Sequence, residues 1–250
     1  DFEITHIIRG EDHVTNTAVQ IQLFSALGGD ISQLHFGHFT LLVDANGASL
    51  SKRLGSLSLA SLRESGIEPM SINSLIARLG TSLPIEPHLT LDELAKDFTL
   101  SIFSRTPPRF DQAELEVLNH KLLQMTPFDW VKDRLKDIAP SITENIWNVI
   151  RGNLHNLPEA AAWEHICFGD IQLVIQDKDY LKQALDNLPS EPWDQQTWAA
   201  WTGKLKELTG RKGKDLFMPL RQAITGMDHG PEMKDLLTTI GREKVVKRLS

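Results

Sequence analysis

Cysteine is almost missing from this 250-residue chain, which carries only Cys167. A single thiol forms no internal disulfide and no cysteine-rich zinc cluster, and it fits a reducing compartment. Long apolar runs are missing too: none approaches the roughly 20 residues that a bilayer-spanning helix needs. No basic-plus-apolar leader opens the chain, so the expectation is a soluble, cytoplasmic protein without a membrane partner. The pattern G-x-x-x-x-G-K-[ST] is absent, which excludes a P-loop. There is no internal repeat and no low-complexity tract. The chain begins DFEITHIIRG without an initiator Met, which reads as a piece cut from a longer protein.

What is present is enough apolar residue for one large or two to three small domains. Charge is unevenly spread. The net charge is -7, yet residues 204 to 250 hold eleven Lys and Arg against six Asp and Glu, leaving -12 for residues 1 to 203. A basic end on an acidic protein suits RNA, since phosphates need a local positive surface and not a basic whole. Solvated helix faces explain the same residues equally well.

The first 55 residues mix β and α signals. ITHIIR is β-branched and apolar enough for a buried strand. NTAVQIQLFSALGG reads as a helix that offers Ile21, Leu23, Phe24 and Leu27 to a core and stops at Gly28. HFGHFTLLV is the next extended segment, broken at DANG, where Asn46 and Gly47 tolerate positive φ. Strand, helix, strand is the order of half a doubly wound domain.

From Leu57 onward the signals are almost wholly helical. Thr90–Glu93 and Ser141–Glu144 match the capping box, and Asp111–Glu114 is a looser version. Helical patterns run over 127–138, 159–167, 178–187, 194–209, 214–225 and 231–249, separated in part by proline-bearing breaks. The expected fold is therefore mainly α with an α/β start.

Two stretches carry candidate chemistry. Arg9 stands where the first strand stops, ahead of Gly10-Glu11-Asp12-His13, and a guanidinium there can hold a carboxylate bidentately. A structural ion pair with Glu11 or Asp12 is the other reading. Residues 47–55, GASLSKRLG, follow the second strand and place Lys52 between hydroxyls and Arg53, where an ammonium can lie against a polyphosphate.

Taken in order, RGEDH, a helix ending in ALGG, H-x-x-L-L and LSKR resemble the nucleotide-binding domain of the glutamyl-tRNA synthetases. The likeness continues through TPPRFDQAELEVLNHKLL and through residues 212–249, while 140–200 is individual. The resemblance implies the second half of a Rossmann-like class I synthetase domain over 1–55, a helical stem-contact region over 56–115 and a helical anticodon-binding domain over 116–250. It is a bacterial-type pattern, here without the amino-terminal half of the catalytic domain.

Roles follow from the resemblance, residue by residue. Ser49-Leu50-Ser51-Lys52-Arg53 stands where the family has its second signature, KMSKS. Lys52, with Ser51, matches the catalytic lysine that stabilises the phosphates during adenylate formation. Arg9 matches the arginine that holds a carboxylate of glutamate. Asp12, His13, Leu41, Leu42, Lys52 and Arg53 fall on the ATP pocket, the two leucines through their backbone. Arg211, Lys212, Lys214 and Arg221 fall in the part that meets tRNA, the two arginines as candidate readers of bases. Implied substrates and cofactor are glutamate, tRNA and ATP with Mg2+, with no zinc, in a monomer. Ser49 departs from the signature, whose first lysine it replaces. Lacking half the catalytic domain, this chain alone is expected to bind tRNA without forming glutamyl adenylate; a non-catalytic tRNA-binding module or paralogue is the second reading. A ligase that charges a modified anticodon nucleoside would have no helical anticodon domain, and residues 116–250 argue against it.

Other features read as structural. His35-Phe36-Gly37-His38 imitates the first class I signature, HIGH, but belongs to the strand leading into LSKR. Trp130, Trp147, Trp163, Trp193, Trp198 and Trp201 lie at helical spacings and read as core. His165 and Cys167 have a poor ligand spacing for zinc. Lys204, Lys206, Lys244, Lys247 and Arg248 read as a solvated face.

Overall fold

A computed structural model describes residues 3–48, 50 and 58–250 and divides the chain into two compact units, Asp1–Asn119 and His120–Ser250. The boundary expected near residue 55 lies outside the described residues.

The first unit opens with β1 (His6–Gly10), α1 (Val14–Ala26) and β2 (His35–Phe39). β1 and β2 pair in parallel, with His6 opposite His35 and Arg9 opposite His38. A parallel pair needs a crossover, and α1 is that crossover. Gly28 ends α1 at φ +82. Its N–H donates to Ser25 O and the Gly29 N–H to Phe24 O, both closing the last turn as in a Schellman motif. A Cβ on Gly29 would fall 2.3 Å from the Phe24 ring, which would have to swing aside for any larger residue.

α1 does not bury the apolar residues that its sequence offers. Leu23 is 59% and Leu27 78% exposed, Phe24 is exposed as well, and Thr17 alone is buried in the helix. The described sheet has two strands, so no broad apolar layer faces the helix. HFGH lies on β2, as its sequence context indicates.

Next come α2 (Leu59–Glu64), α3 (Pro69–Ile76), α4 (Leu91–Ala95) and the start of α5 (Gln112–Met125). Leu62, Leu75, Leu79, Phe110, Leu115 and Leu118 form their core, against which Leu42 and Leu50 pack. The Thr90–Glu93 capping box forms at the start of α4. Buried Asn119 accepts from the Glu68 N–H at 2.8 Å and the Ser71 hydroxyl at 2.9 Å, satisfying donors at the start of α3. Val43, beyond β2, bridges Arg109 in parallel: its N–H donates to Pro108 O and its carbonyl accepts from Phe110 N–H.

The second unit contains the remainder of α5 with α6 (Phe128–Ile138), α7 (Glu144–Ile150), α8 (Ala160–Phe168), α9 (Lys178–Asp186), α10 (Thr197–Thr209), α11 (Lys214–Thr225), α12 (Met233–Ile240) and α13 (Arg242–Leu249). One continuous core runs through it. Trp147 and Trp201 are fully buried, and their indole N–H groups donate to Thr126 O and Ala184 O. Trp163 is buried too, and Trp193 and Trp198 pack against the core. Trp130 departs from that pattern at 52% exposed. Val131 and Leu135 take the inner face of α6, and a neighbour of Val131 turns about 100° away from it.

Three further expectations change. The span 231–249 is two helices because Gly241 adopts φ +82 and ψ 157 between them. The Ser141–Glu144 box does not form: the Ser141 N–H donates to the Glu164 carboxylate, and α7 starts after Thr143. Among the cations of α13, Lys247 is solvated as expected, but Arg248 is not. Arg248 is 4% exposed and donates to Ile224 O at 2.6 Å, Ile166 O at 2.7 Å and Gly169 O at 3.0 Å. Those carbonyls close the carboxy-terminal ends of α11 and α8, where a cation is favoured. Lys244 donates to Phe168 O beside them, and Lys247 pairs with Asp170 at 2.6 Å. Burial lowers the Arg248 pKa.

Candidate functional site

In the first unit, candidate chemistry gathers where β1 ends. Half-buried Arg9 donates through Nη1 to Gln20 Oε1 at 2.7 Å and Thr17 Oγ1 at 3.3 Å, and through Nη2 to His13 Nδ1 at 2.7 Å. All three partners are uncharged side chains when His13 is neutral, and among the described residues no carboxylate pairs with Arg9. The ion pair with Glu11 or Asp12 therefore does not form. Glu11 turns away and accepts the Leu41 N–H at 3.1 Å.

Thr17 is the hub beneath this arginine. Its hydroxyl donates to His13 O at 3.0 Å, which leaves its oxygen to accept from Arg9 and from His38 Nε2 at 2.9 Å. A hydroxyl has one donor and two acceptor sites, and all are used. A guanidinium only donates, so His13 Nδ1 accepts and the ring proton lies on Nε2, 3.8 Å from Asp12 Oδ2. His13, Thr17 and Gln20 stand four and three residues apart on one side of the helix entry, a polar spacing visible in the sequence but easily overlooked among apolar residues.

Gly10 fixes the approach of the next residues. A Cβ there would lie 2.4 Å from Asp12 Oδ1 and 3.3 Å from Leu41 Cδ2, so Asp12 and Leu41 close against bare backbone. Leu42 faces the core of the unit. The turn after β2 is braced by Asp44, whose Oδ1 accepts from Asn46 N–H at 2.9 Å and Ala48 N–H at 2.8 Å, with Gly47 at φ +84. Ser49, Ser51, Lys52 and Arg53 lie outside the described residues. Among the described residues no group of three His, Cys, Asp or Glu could hold a metal.

The second unit holds the other candidates. Arg211 is bound at 2.5 Å to Asp177 and lies 4.2 Å over the Tyr180 ring. That pairing, after the Tyr180 N–H, helps hold the Asp177 pKa below the usual carboxylate value. Lys212 and Lys214 are exposed, flanked by Gly210 and Gly213, both at positive φ. Lys214 and Arg221 line a cavity of about 370 Å³ with Trp198, Phe217 and Glu232. Arg221 donates through Nη2 to Pro231 O at 2.8 Å, while its buried Nη1 has no partner among the described residues. Burial lowers its pKa. Cys167 is buried, and burial pushes its thiol up to about 11.

A parallel β-α-β unit with a cationic strand end, followed by helices, is the fold of the class I tRNA synthetases, and comparison with known proteins agrees. Residues 1–117 match the family described as tRNA synthetases class I (E and Q), catalytic domain, and residues 170–250 match the anticodon binding domain. A crystal structure of a glutamate tRNA ligase from Elizabethkingia meningosepticum, in complex with its amino acid, superposes with a TM-score of 0.80 at 21% identity, over 99% of this chain and 56% of that one. A glutamate–tRNA ligase of Azospirillum brasilense is 50% identical over 255 residues, covering 100% of this chain and 56% of the relative. Glutamate–tRNA ligase 1 of a Chelativorans species is 47% identical, covering 99% and 55%. Along its whole length the chain is similar to glutamyl-tRNA synthetases, and it spans about half the length of these curated relatives.

Proposed function

We propose that this chain supplies part of an enzyme that attaches glutamate to tRNA at the expense of ATP, through glutamyl adenylate. The observation that carries the reading is Arg9: a guanidinium at the end of a parallel strand, held by uncharged side chains and so available to a substrate carboxylate. A carboxylate oxygen of glutamate attacks the α-phosphorus of ATP, an acyl–phosphate bond forms, and the bond to pyrophosphate breaks. A hydroxyl of the terminal adenosine of tRNA then attacks the acyl carbon, and AMP leaves.

In this reading Arg9 orients glutamate, while Asp12, His13 and the backbone at Leu41 and Leu42 border the nucleotide. The Leu41 N–H is already bonded to Glu11, so its carbonyl is the group left for adenine. Lys52 with Ser51 and Arg53 would neutralise the phosphates. Magnesium would arrive on the triphosphate, since the described residues offer no three-ligand group, and no step here runs through the metal. Lys212, Lys214 and Arg221 meet tRNA, with Arg211 tied more closely to Asp177 and Tyr180. The protein works as a cytoplasmic monomer; no described helix is long and apolar enough to cross a membrane.

The test is a chimera in which these 250 residues replace the matching segment of the Azospirillum relative. Glutamate-dependent ATP–pyrophosphate exchange is expected from the chimera, and tRNA binding without exchange from the chain alone. A folded chimera that charges no tRNA and exchanges no pyrophosphate would overturn the reading.

A further inference from the structure

Arg9 has five guanidinium donors, and three have partners among the described residues: two on Nη1 and one on Nη2. The donors left over are Nε–H and one Nη2–H. An arginine side chain has several rotatable bonds, so a guanidinium held by nothing would present those donors in many directions and lose entropy when a ligand fixed it. Here the fixing is done beforehand, from α1. Gln20 makes a 2.7 Å bond, and buried Thr17 cannot turn its hydroxyl elsewhere without breaking contacts to His13 O and His38.

We propose that Thr17 and Gln20 are positioning residues that clamp Nη1 of Arg9, so that a substrate carboxylate seats side-on against Nε–H and the remaining Nη2–H. This rests on the reading of Arg9 as the carboxylate-binding residue. The clamp is neutral by design of its chemistry: a Gln amide and a Thr hydroxyl orient the guanidinium without neutralising it, whereas a Glu or Asp at either place would compete with the substrate for the same charge. With the side-chain carboxylate of glutamate seated there, discrimination against glutamine follows, because a carboxylate satisfies both free donors as an anion and an amide cannot.

Steady-state exchange in the chimera described above tests the clamp, with glutamate and ATP varied separately and glutamine as the competing substrate. Gln20→Met removes the acceptor at nearly constant length and is expected to raise KM for glutamate about 10-fold, with kcat and KM for ATP nearly unchanged. Gln20→Glu keeps the acceptor but adds a charge and is expected to raise that KM further, while lowering the preference for glutamate over glutamine. Thr17→Ser, which keeps the hydroxyl, should preserve both values. Gln20 is exposed, so its variants should melt with the parent, which keeps the test open if Thr17 variants fold poorly. An unchanged KM for glutamate in both Gln20 variants would overturn the clamp while leaving the ligase reading intact. So would equal losses in kcat and in both KM values, the mark of general damage. A parental chimera without exchange would bring down the ligase reading, and the clamp with it.

Discussion

The two units solve the problem of burial in opposite ways. The second threads most of its large side chains into one core, with Trp147 and Trp201 fully enclosed and their N–H groups bonded. The β-α-β end of the first leaves Ile8, Val19, Leu23, Phe24 and Phe36 exposed, and a polar hub around Thr17 is its most enclosed feature. Packing energy therefore defines one unit, whereas hydrogen-bond geometry defines the part of the other that carries the candidate chemistry. The hub orients charge, and the core supplies stability.

The contrast is sharpest in truncation of aromatic residues. Trp201→Ala should cost about 4 kcal/mol, because the side chain is enclosed and its removal leaves a cavity and takes away the indole hydrogen bond to the Ala184 carbonyl. Phe24→Ala should cost below about 2 kcal/mol, since that side chain is already 43% exposed and leaves no closed cavity. Urea denaturation of both variants measures the difference; comparable losses would break the comparison.

A smaller effect is expected from Arg248→Met, about 3 kcal/mol, since the apolar stem is kept while two buried carbonyls and one half-buried carbonyl lose their charged donor. Thermal unfolding followed by circular dichroism would show it. The same change at exposed Lys204 should be nearly silent, which separates a buried clamp from a solvated cation.

The smallest effect is one of pH. The folded-state pKa of Asp177 is lowered, by the Tyr180 N–H first and Arg211 next. Its contribution is thus present above the ordinary carboxylate pKa and disappears as pH falls through the lowered value. Asp177→Asn should lower the stability of the second unit slightly at neutral pH and match the parent below the lowered pKa, so that this acid limb flattens, as proton-linked unfolding would reveal.

How much of this could be read from the residues alone differs between the units for the same reason. Helical periodicity located α6, α8, α9 and α11 closely, because their buried faces follow local spacing. It joined α12 to α13, since only the backbone shows Gly241 leaving helical geometry. It misjudged Arg248 because a buried guanidinium and a surface one look alike until distant carbonyls converge on it. At the candidate site, Arg9 stood out by type and place at a strand end. Thr17, Gln20 and His38 did not, because an uncharged side chain becomes informative only when its partners, here up to 21 residues away, are known. The capping box at Thr90 is local and was legible; the failed one at Ser141 lost its N–H to Glu164, 23 residues on.

The enclosed thiol of Cys167 has a practical consequence. With no second cysteine in the chain, a maleimide dye added at neutral pH should leave the native protein unlabelled. A cysteine introduced at any surface position then becomes the sole attachment point, so fluorescent or spin probes can be placed one at a time without first rebuilding the interior.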